Sequence, residues 1–303
     1  MFTLRILFAL SLAFLMASCS SLYVHPTAEN TVPPFEPKKP IKIALVLGGG
    51  GARGLAHLGA IRELEAAGIR PDLIVGCSAG AIIGAFYADD PDLTRIENLL
   101  LSLRKADLLD TNIFRSRFGV VRGKMLRKFM KKHLHAKTFN ELKIPLIVVA
   151  TDLFTGEVVE LSQKKIPIAV RASCAFPGIF QPVLLHNRYL IDGGASAPIP
   201  VEIARKYGAE VVIAIDVSER LPEVKPSHLL GVVRRGIDIS YQKFVDQSIA
   251  KADIPIKMNF QEVGIFADHR NREIYEHGRA VVLSLLLEIQ KKVNDAQIPK
   301  TNP

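Results

Sequence analysis

The chain has no tryptophan and an aromatic content of 7%, which argues against an aromatic cage or a stacking platform for sugars. It has three cysteines. Only Cys77 and Cys174 fall in the body of the sequence, too few for a disulfide framework, so buried free thiols are expected there. No cluster of His, Cys, Asp or Glu shows metal-ligand spacing, and neither a metal nor an organic cofactor is expected. Long apolar runs are missing as well: the longest early stretch, Ile6 to Met16, falls short of the roughly 20 residues that a spanning helix needs. Acidic residues are in deficit, leaving a formal net charge of +9. What is plentiful is core material, 49% hydrophobic residues in 303, enough for one large or two small domains.

The first segment stands apart from that core. Arg5 opens it with positive charge, the apolar run follows, and Ala17-Ser18 supply small residues before Cys19, which is the layout of an export signal. It resembles a bacterial lipoprotein signal, with Met16 where Leu, Val or Ile is usual. The resemblance implies cleavage after residue 18, lipidation of Cys19 and an exported, membrane-anchored protein, on the periplasmic side of the outer membrane in a cell with two membranes. Residues 19–40 carry Pro26, Pro33, Pro34, Pro37 and Pro40 and read as a stiff tether. The folded domain is then 41–303, with its motifs in 41–216 and a helical part in 217–303.

Within that domain apolar runs alternate with segments of helical periodicity. Strands are expected at 41–47, 73–75, 144–151, 158–161, 183–185, 189–191 and 211–215, with an edge strand near 254–260 because Pro255 cannot donate to a ladder. Helices are expected at about 55–67, over much of 92–143, and at 168–175, 200–207, 229–250 and 272–293. This alternation predicts a three-layer α/β/α fold with a mainly parallel central sheet.

Three strand ends carry chemistry. The first strand runs into Gly48-Gly-Gly-Gly-Ala-Arg-Gly54. Gly49 to Gly54 match the dinucleotide fingerprint in form, yet the second strand ends in Gly76-Cys77-Ser78 rather than in the acid that would hold a ribose. A glycine-rich turn at a helix start presents backbone N–H groups to any anion, a tetrahedral oxyanion included. The second strand delivers Gly76-Cys-Ser-Ala-Gly80, a serine on a cramped strand-to-helix turn flanked by glycines. A later strand delivers Asp192-Gly193-Gly194. In an open α/β sheet such ends converge on one crevice.

With these motifs in this order, the chain resembles the patatin-like phospholipase family over roughly residues 41–216. The run Arg171-Ala-Ser-Cys-Ala-Phe-Pro-Gly-Ile-Phe180 is also typical of its bacterial members. The resemblance implies Ser78 as nucleophile, Asp192 as its base, and an oxyanion hole from Gly49, Gly50, Gly51 and the backbone of Arg53. Gly54, Gly76, Gly80 and Gly193 would support the motifs. It further implies hydrolysis of lipid esters, phospholipids or lysophospholipids, through an acyl-enzyme.

Two other readings stay open on the residues alone. His269 and His277 lie where the imidazole of a Ser-His-acid esterase would fall, and a hydrolase fold can also serve as a lipid-binding module. His57 is expected as a helix-packing residue and Asp152 as a turn residue. The basic segment 115–132 holds Arg115, Arg117, Arg122, Lys124, Arg127, Lys128, Lys131 and Lys132. Its apolar members Met125, Leu126, Phe129 and Met130 share one helix face, so the charged face is either merely solvated or docks on anionic lipid. An exported protein should rarely meet nucleic acid, and none is expected as a partner.

Overall fold

The computed structural model describes residues 32–110, 119, 121–221, 225–260, 263–264 and 267–297. The segment expected to be an export signal, with Cys19, and Arg115 and Arg117 of the basic segment lie outside the described residues.

Eight strands form one sheet: β1 (Ile43–Leu47), β2 (Leu73–Cys77), β3 (Leu146–Asp152), β4 (Val158–Leu161), β5 (Val183–Leu185), β6 (Arg188–Asp192), β7 (Val211–Asp216) and β8 (Ile254–Lys257). The order is β5-β6-β3-β2-β1-β7-β8, with β4 paired to β3. β3, β2, β1, β7 and β8 run parallel, whereas β4, β5 and β6 make antiparallel pairs at one end. From β1 the chain builds outward through β2 and β3, then returns to add β7 and β8 on the other side. β1 and β7 are therefore the switch point at which α/β sheets open a crevice. Pro255 lies on β8, the edge strand, as its missing N–H requires. His186 and Asn187, at φ 51 and 54, make the tight turn between β5 and β6.

The helices are α1 (Leu55–Ala66), α2 (Ala79–Asp89), α3 (Leu93–Leu101), α4 (Lys105–Leu108), α5 (Lys124–His133), α6 (Ile166–Ser173), α7 (Val201–Lys206), α8 (Leu229–Ile249) and α9 (Asn271–Gln297). Side chains alternate across the parallel strands and build two cores. Leu45, Leu47, Ile74, Val148 and Ile213 meet α1, α2, α5, α6 and α9. Ala44, Val46, Val75, Ile147, Val149 and Val212 meet α7 and the last turns of α8. The layers expected from the alternation are all present. α9 lies on α1 by close backbone approach, because side chains at Gly59 and Gly278 would collide with the carbonyls of Tyr275 and Ala56.

The start of the domain is tied down earlier than a free tether would be. Phe35 sets its ring edge-on to Tyr207 at 5.1 Å, and Gln163 donates to the Pro34 carbonyl at 3.3 Å.

Candidate active site

β2 ends at Cys77, and Ser78 begins α2 with φ 52 and ψ −117, a conformation that L residues rarely adopt. The turn survives because its surroundings leave no alternative. A side chain at Gly80 would strike the Leu47 carbonyl, and one at Gly76 would stand 2.7 Å from Ala81 Cα. Ser173, fully buried on α6, accepts from the Ser78 backbone N–H at 2.8 Å and donates its own hydroxyl to the Val149 carbonyl at 2.6 Å. The Ser78 peptide is thereby pinned to β3.

The Ser78 hydroxyl donates to Asp192 Oδ2 at 2.7 Å. Asp192 ends β6, and its other oxygen accepts from the Gly194 N–H at 2.8 Å, which fixes the carboxylate plane. Gly193 permits this turn to lie against β3, since a side chain there would strike the Val149 carbonyl. Burial pushes the Asp192 carboxyl up from an ordinary 3.8 to about 6, while the bonds from Ser78 and Gly194 hold it back. A buried carboxylate aligned on a serine hydroxyl is a stronger base than a solvated one.

The glycine loop crosses directly above. A side-chain carbon at Gly49 would stand 3.4 Å from Ser78 Cβ, and one at Gly50 would be 2.6 Å from Val217 Cγ2. The expected oxyanion set is refined here. The Gly49 N–H is already committed to the Pro198 carbonyl at 3.1 Å, so Gly49 supplies clearance rather than a donor. The amides of Gly50 and Gly51 make no hydrogen bond among the described residues. Arg53 enters through its side chain: buried, it donates to the carbonyls of Val217, at 2.9 Å, and Val263, and pairs with Glu219 at 3.1 Å. Gly54 lets this loop approach the nucleophile helix, because a carbon there would lie 2.6 Å from Ala79 Cβ.

The histidines stand elsewhere. His57 is fully buried with Nε2 at 2.9 Å from the Gly48 carbonyl. Burial pushes its pKa down to about 4, so it is a neutral strut under the loop. His277 holds the Met258 carbonyl and lies against Phe260, and His269 is exposed in a short turn. Among the described residues no imidazole bonds to Ser78 or Asp192. Asp152 is a turn residue, accepting from the N–H groups of Phe154 and Thr155 at 2.8 and 3.1 Å. Cys77 and Cys174 are free and buried, with thiols pushed up by that burial. Among the described residues no group of His, Cys, Asp and Glu could hold a metal ion.

Sequence reasoning passed over Ser173, although it sits inside the quoted run 171–180, and Tyr241. The latter arrives from α8. A side-chain carbon at Gly49 would stand 3.5 Å from the Tyr241 hydroxyl oxygen, and one at Gly194 would stand 3.6 Å from that oxygen and 3.0 Å from Asp192 Oδ1. The phenol therefore overlooks both the glycine loop and the turn after Asp192. Burial raises its pKa, with the nearby Asp192 adding to the effect, so it stays a donor.

A family model described as patatin-like phospholipase matches residues 45–205. An uncharacterised NTE family protein of Mycobacterium tuberculosis is 33% identical over 180 residues, 58% of this chain and 49% of that protein. Human patatin-like phospholipase domain-containing protein 6 is 34% identical over 187 residues, 59% of this chain and 13% of that protein. The chain thus matches half or less of the length of these curated relatives. The crystal structure of VipD from Legionella pneumophila shares the fold, with a TM-score of 0.50 at 17% identity over 81% of this chain and 67% of that one.

Proposed function

The chain belongs to the patatin-like phospholipase family, and from that premise we propose that it is a serine acyl hydrolase that cleaves ester bonds of lipids, phospholipids or lysophospholipids, with Ser78 and Asp192 as its dyad. The observation that carries this reading is the 2.7 Å bond from the half-buried Ser78 hydroxyl to Oδ2 of the buried Asp192. In the reaction Asp192 takes the hydroxyl proton as Ser78 Oγ bonds to the ester carbonyl carbon. The negative charge that moves onto the carbonyl oxygen meets the amides of Gly50 and Gly51, at the N-terminal end of a helical segment where the dipole favours it. Collapse expels the alcohol, which takes the proton from Asp192, and leaves Ser78 acylated. Water, deprotonated by Asp192, then attacks the acyl carbon, and the second collapse expels Ser78 Oγ, which takes the proton back from Asp192 as the fatty acid leaves.

Ser78→Ala and Asp192→Asn are each expected to abolish hydrolysis, and a fluorophosphonate should label Ser78. His57→Ala, His269→Ala and His277→Ala should retain substantial activity as long as the protein stays folded. A folded histidine variant with no activity would overturn the dyad in favour of a Ser-His-acid triad. Failure of any fluorophosphonate to label Ser78 would favour a non-catalytic lipid-binding module.

The address follows from the first segment rather than from the site. We propose export and anchoring through an acylated Cys19, with the basic face of α5 (Lys124, Arg127, Lys128, Lys131 and Lys132) drawn to anionic lipid. Metabolic labelling with a fatty acid that misses Cys19 would remove the anchor from this account.

A further inference from the structure

Away from the site, the longest set of exposed apolar side chains lies on α8. Leu229, Val232, Val233, Ile237, Ile239 and Phe244 are all exposed, Leu229 at 78% and Ile237 at 65%. Leu229, Val233, Ile237 and Phe244 recur at helical spacing and share one side. Val245 and Ile249, with Gln242, occupy the other side and are buried against the sheet. The helix thus carries two apolar faces, and among the described residues the body covers only one. A continuous uncovered apolar face of this kind marks an interaction surface.

Three observations say what covers it. The first is place. α8 is entered from the carboxyl end of β7, the edge at which β1 and β2 open into the glycine loop and Ser78. Phe154, after the carboxyl end of β3, and Phe176, whose neighbour Ala175 accepts from the Asp192 N–H, are exposed on the same side of the sheet's ends. The second is continuity with the site, because the same helix sets Tyr241 over Gly49 and Gly194. The third is charge. Lys225, shortly before the helix, and Lys243 on it are exposed, while the helix's acids are occupied, Asp238 with Arg234 and Asp246 with Arg220 and Lys257. An apolar stripe with a basic rim matches the boundary between acyl chains and anionic headgroups.

We propose that the exposed face of α8, Leu229, Val233, Ile237 and Phe244, inserts into the surface of an anionic phospholipid bilayer and so seats the Ser78 crevice on the membrane. This rests on the reading of the chain as a lipid ester hydrolase. Docking through α8 is separate from the lipid anchor and from the lysines of α5: it is apolar, and it belongs to the helix that completes the site.

The absence of tryptophan makes the test direct, since one introduced indole is the sole indole emitter. The full chain carrying Ile237→Trp, in a Ser78→Ala background that leaves lipid intact, is mixed with vesicles of phosphatidylglycerol and phosphatidylethanolamine. The indole emission should move to shorter wavelength and be quenched by brominated acyl chains. Leu287→Trp places an indole at a site 84% exposed on α9, in the opposite layer, and its emission should stay water-like. With Ser78 intact, Val233→Ser together with Ile237→Ser should lower hydrolysis of vesicle lipid at least about ten-fold and leave a soluble short-chain ester within about two-fold. An Ile237→Trp emission that vesicles do not change overturns the proposal. So does an emission already shifted in the absence of lipid, which assigns the face to another segment of the chain, or one that shifts with protein concentration, which assigns it to a second copy. The indole reading needs no turnover, so insertion without any ester hydrolysis would remove the hydrolase reading and leave the docking surface standing.

Discussion

At the scale of single residues, the behaviour of the site is set by one buried carboxyl. Asp192 titrates at about 6 because burial disfavours its charge more than Ser78 and Gly194 favour it. The base form is required, so kcat/KM should fall on the acid side with a midpoint near pH 6. That limb imitates an imidazole, and the pH profile identifies Asp192 only when His57→Ala and His277→Ala leave the limb in place. Stability carries the opposite sign. A carboxyl whose folded pKa is raised contributes most when protonated, below its ordinary value of 3.8, and that contribution is lost as pH rises through about 6. The shift corresponds to a few kcal/mol, on the order of 3, held against folding at neutral pH. Asp192→Asn should therefore gain in Tm relative to the unmutated protein as pH rises from about 4 to 7; a Tm difference flat across that range would contradict the burial account. The turn at Ser78 was legible because a strained turn admits few residue types, so Gly76, Ser78 and Gly80 announce it. Ser173 and Tyr241 were not, because serine and tyrosine are common. Their roles come from contacts across the fold, 95 residues from Ser78 in the case of Ser173.

Among the elements, strands were read to within about two residues, except that β8, expected to reach Phe260, stops at Lys257; boundary errors of this kind arise when propensity meets tertiary packing. β1 starts at Ile43 rather than 41, and β2 runs on to Cys77. Their existence was plain from apolar runs ending in glycine. Which face each helix covers was not, since that depends on crossings such as Gly59 against Gly278, where neither glycine carries a turn signal. The basic helix is instructive for the same reason. Leu126 and Met130 are buried in the core, Met125 and Phe129 are half-buried, and Lys124, Arg127, Lys128, Lys131 and Lys132 are exposed. α5 is thus core-packed on one side and free to attract anions on the other. Lys128→Glu, Lys131→Glu and Lys132→Glu together should weaken hydrolysis on vesicles rich in anionic lipid, with a loss that salt erases. Neutral vesicles and soluble esters should barely notice. Equal losses on every substrate would make α5 a structural helix alone. Charge variants of α5 and apolar variants of α8 are thereby separable by their salt dependence.

At the scale of the whole molecule, the matched segment 45–205 contains Ser78, Asp192 and the glycine loop, but the candidate site is finished from beyond it. Tyr241 comes from α8, and Arg53 reaches out of the loop to Val217, Glu219 and Val263. The three-layer architecture could be foreseen from the alternation of strands and helices, whereas this closure by the last third could not, because nothing local marks a residue that is used at a distance. The Arg53 guanidinium has a thermodynamic consequence. It ties the glycine loop, proposed to receive the oxyanion, and the segment that leads into α8 into one set of bonds, and we expect events at the two ends to be coupled, with the reciprocity that any free-energy coupling obeys. Whatever factor a lipid surface contributes to binding a tetrahedral adduct at Ser78, the adduct must return to the affinity for lipid. Enzyme phosphonylated on Ser78 should therefore bind vesicles more tightly than free enzyme, by the same ratio in which vesicles strengthen binding of a reversible transition-state analogue. Identical vesicle affinities before and after phosphonylation would mean that the membrane only gathers the enzyme to its substrate, and that the catalytic amides never sense the surface they work on.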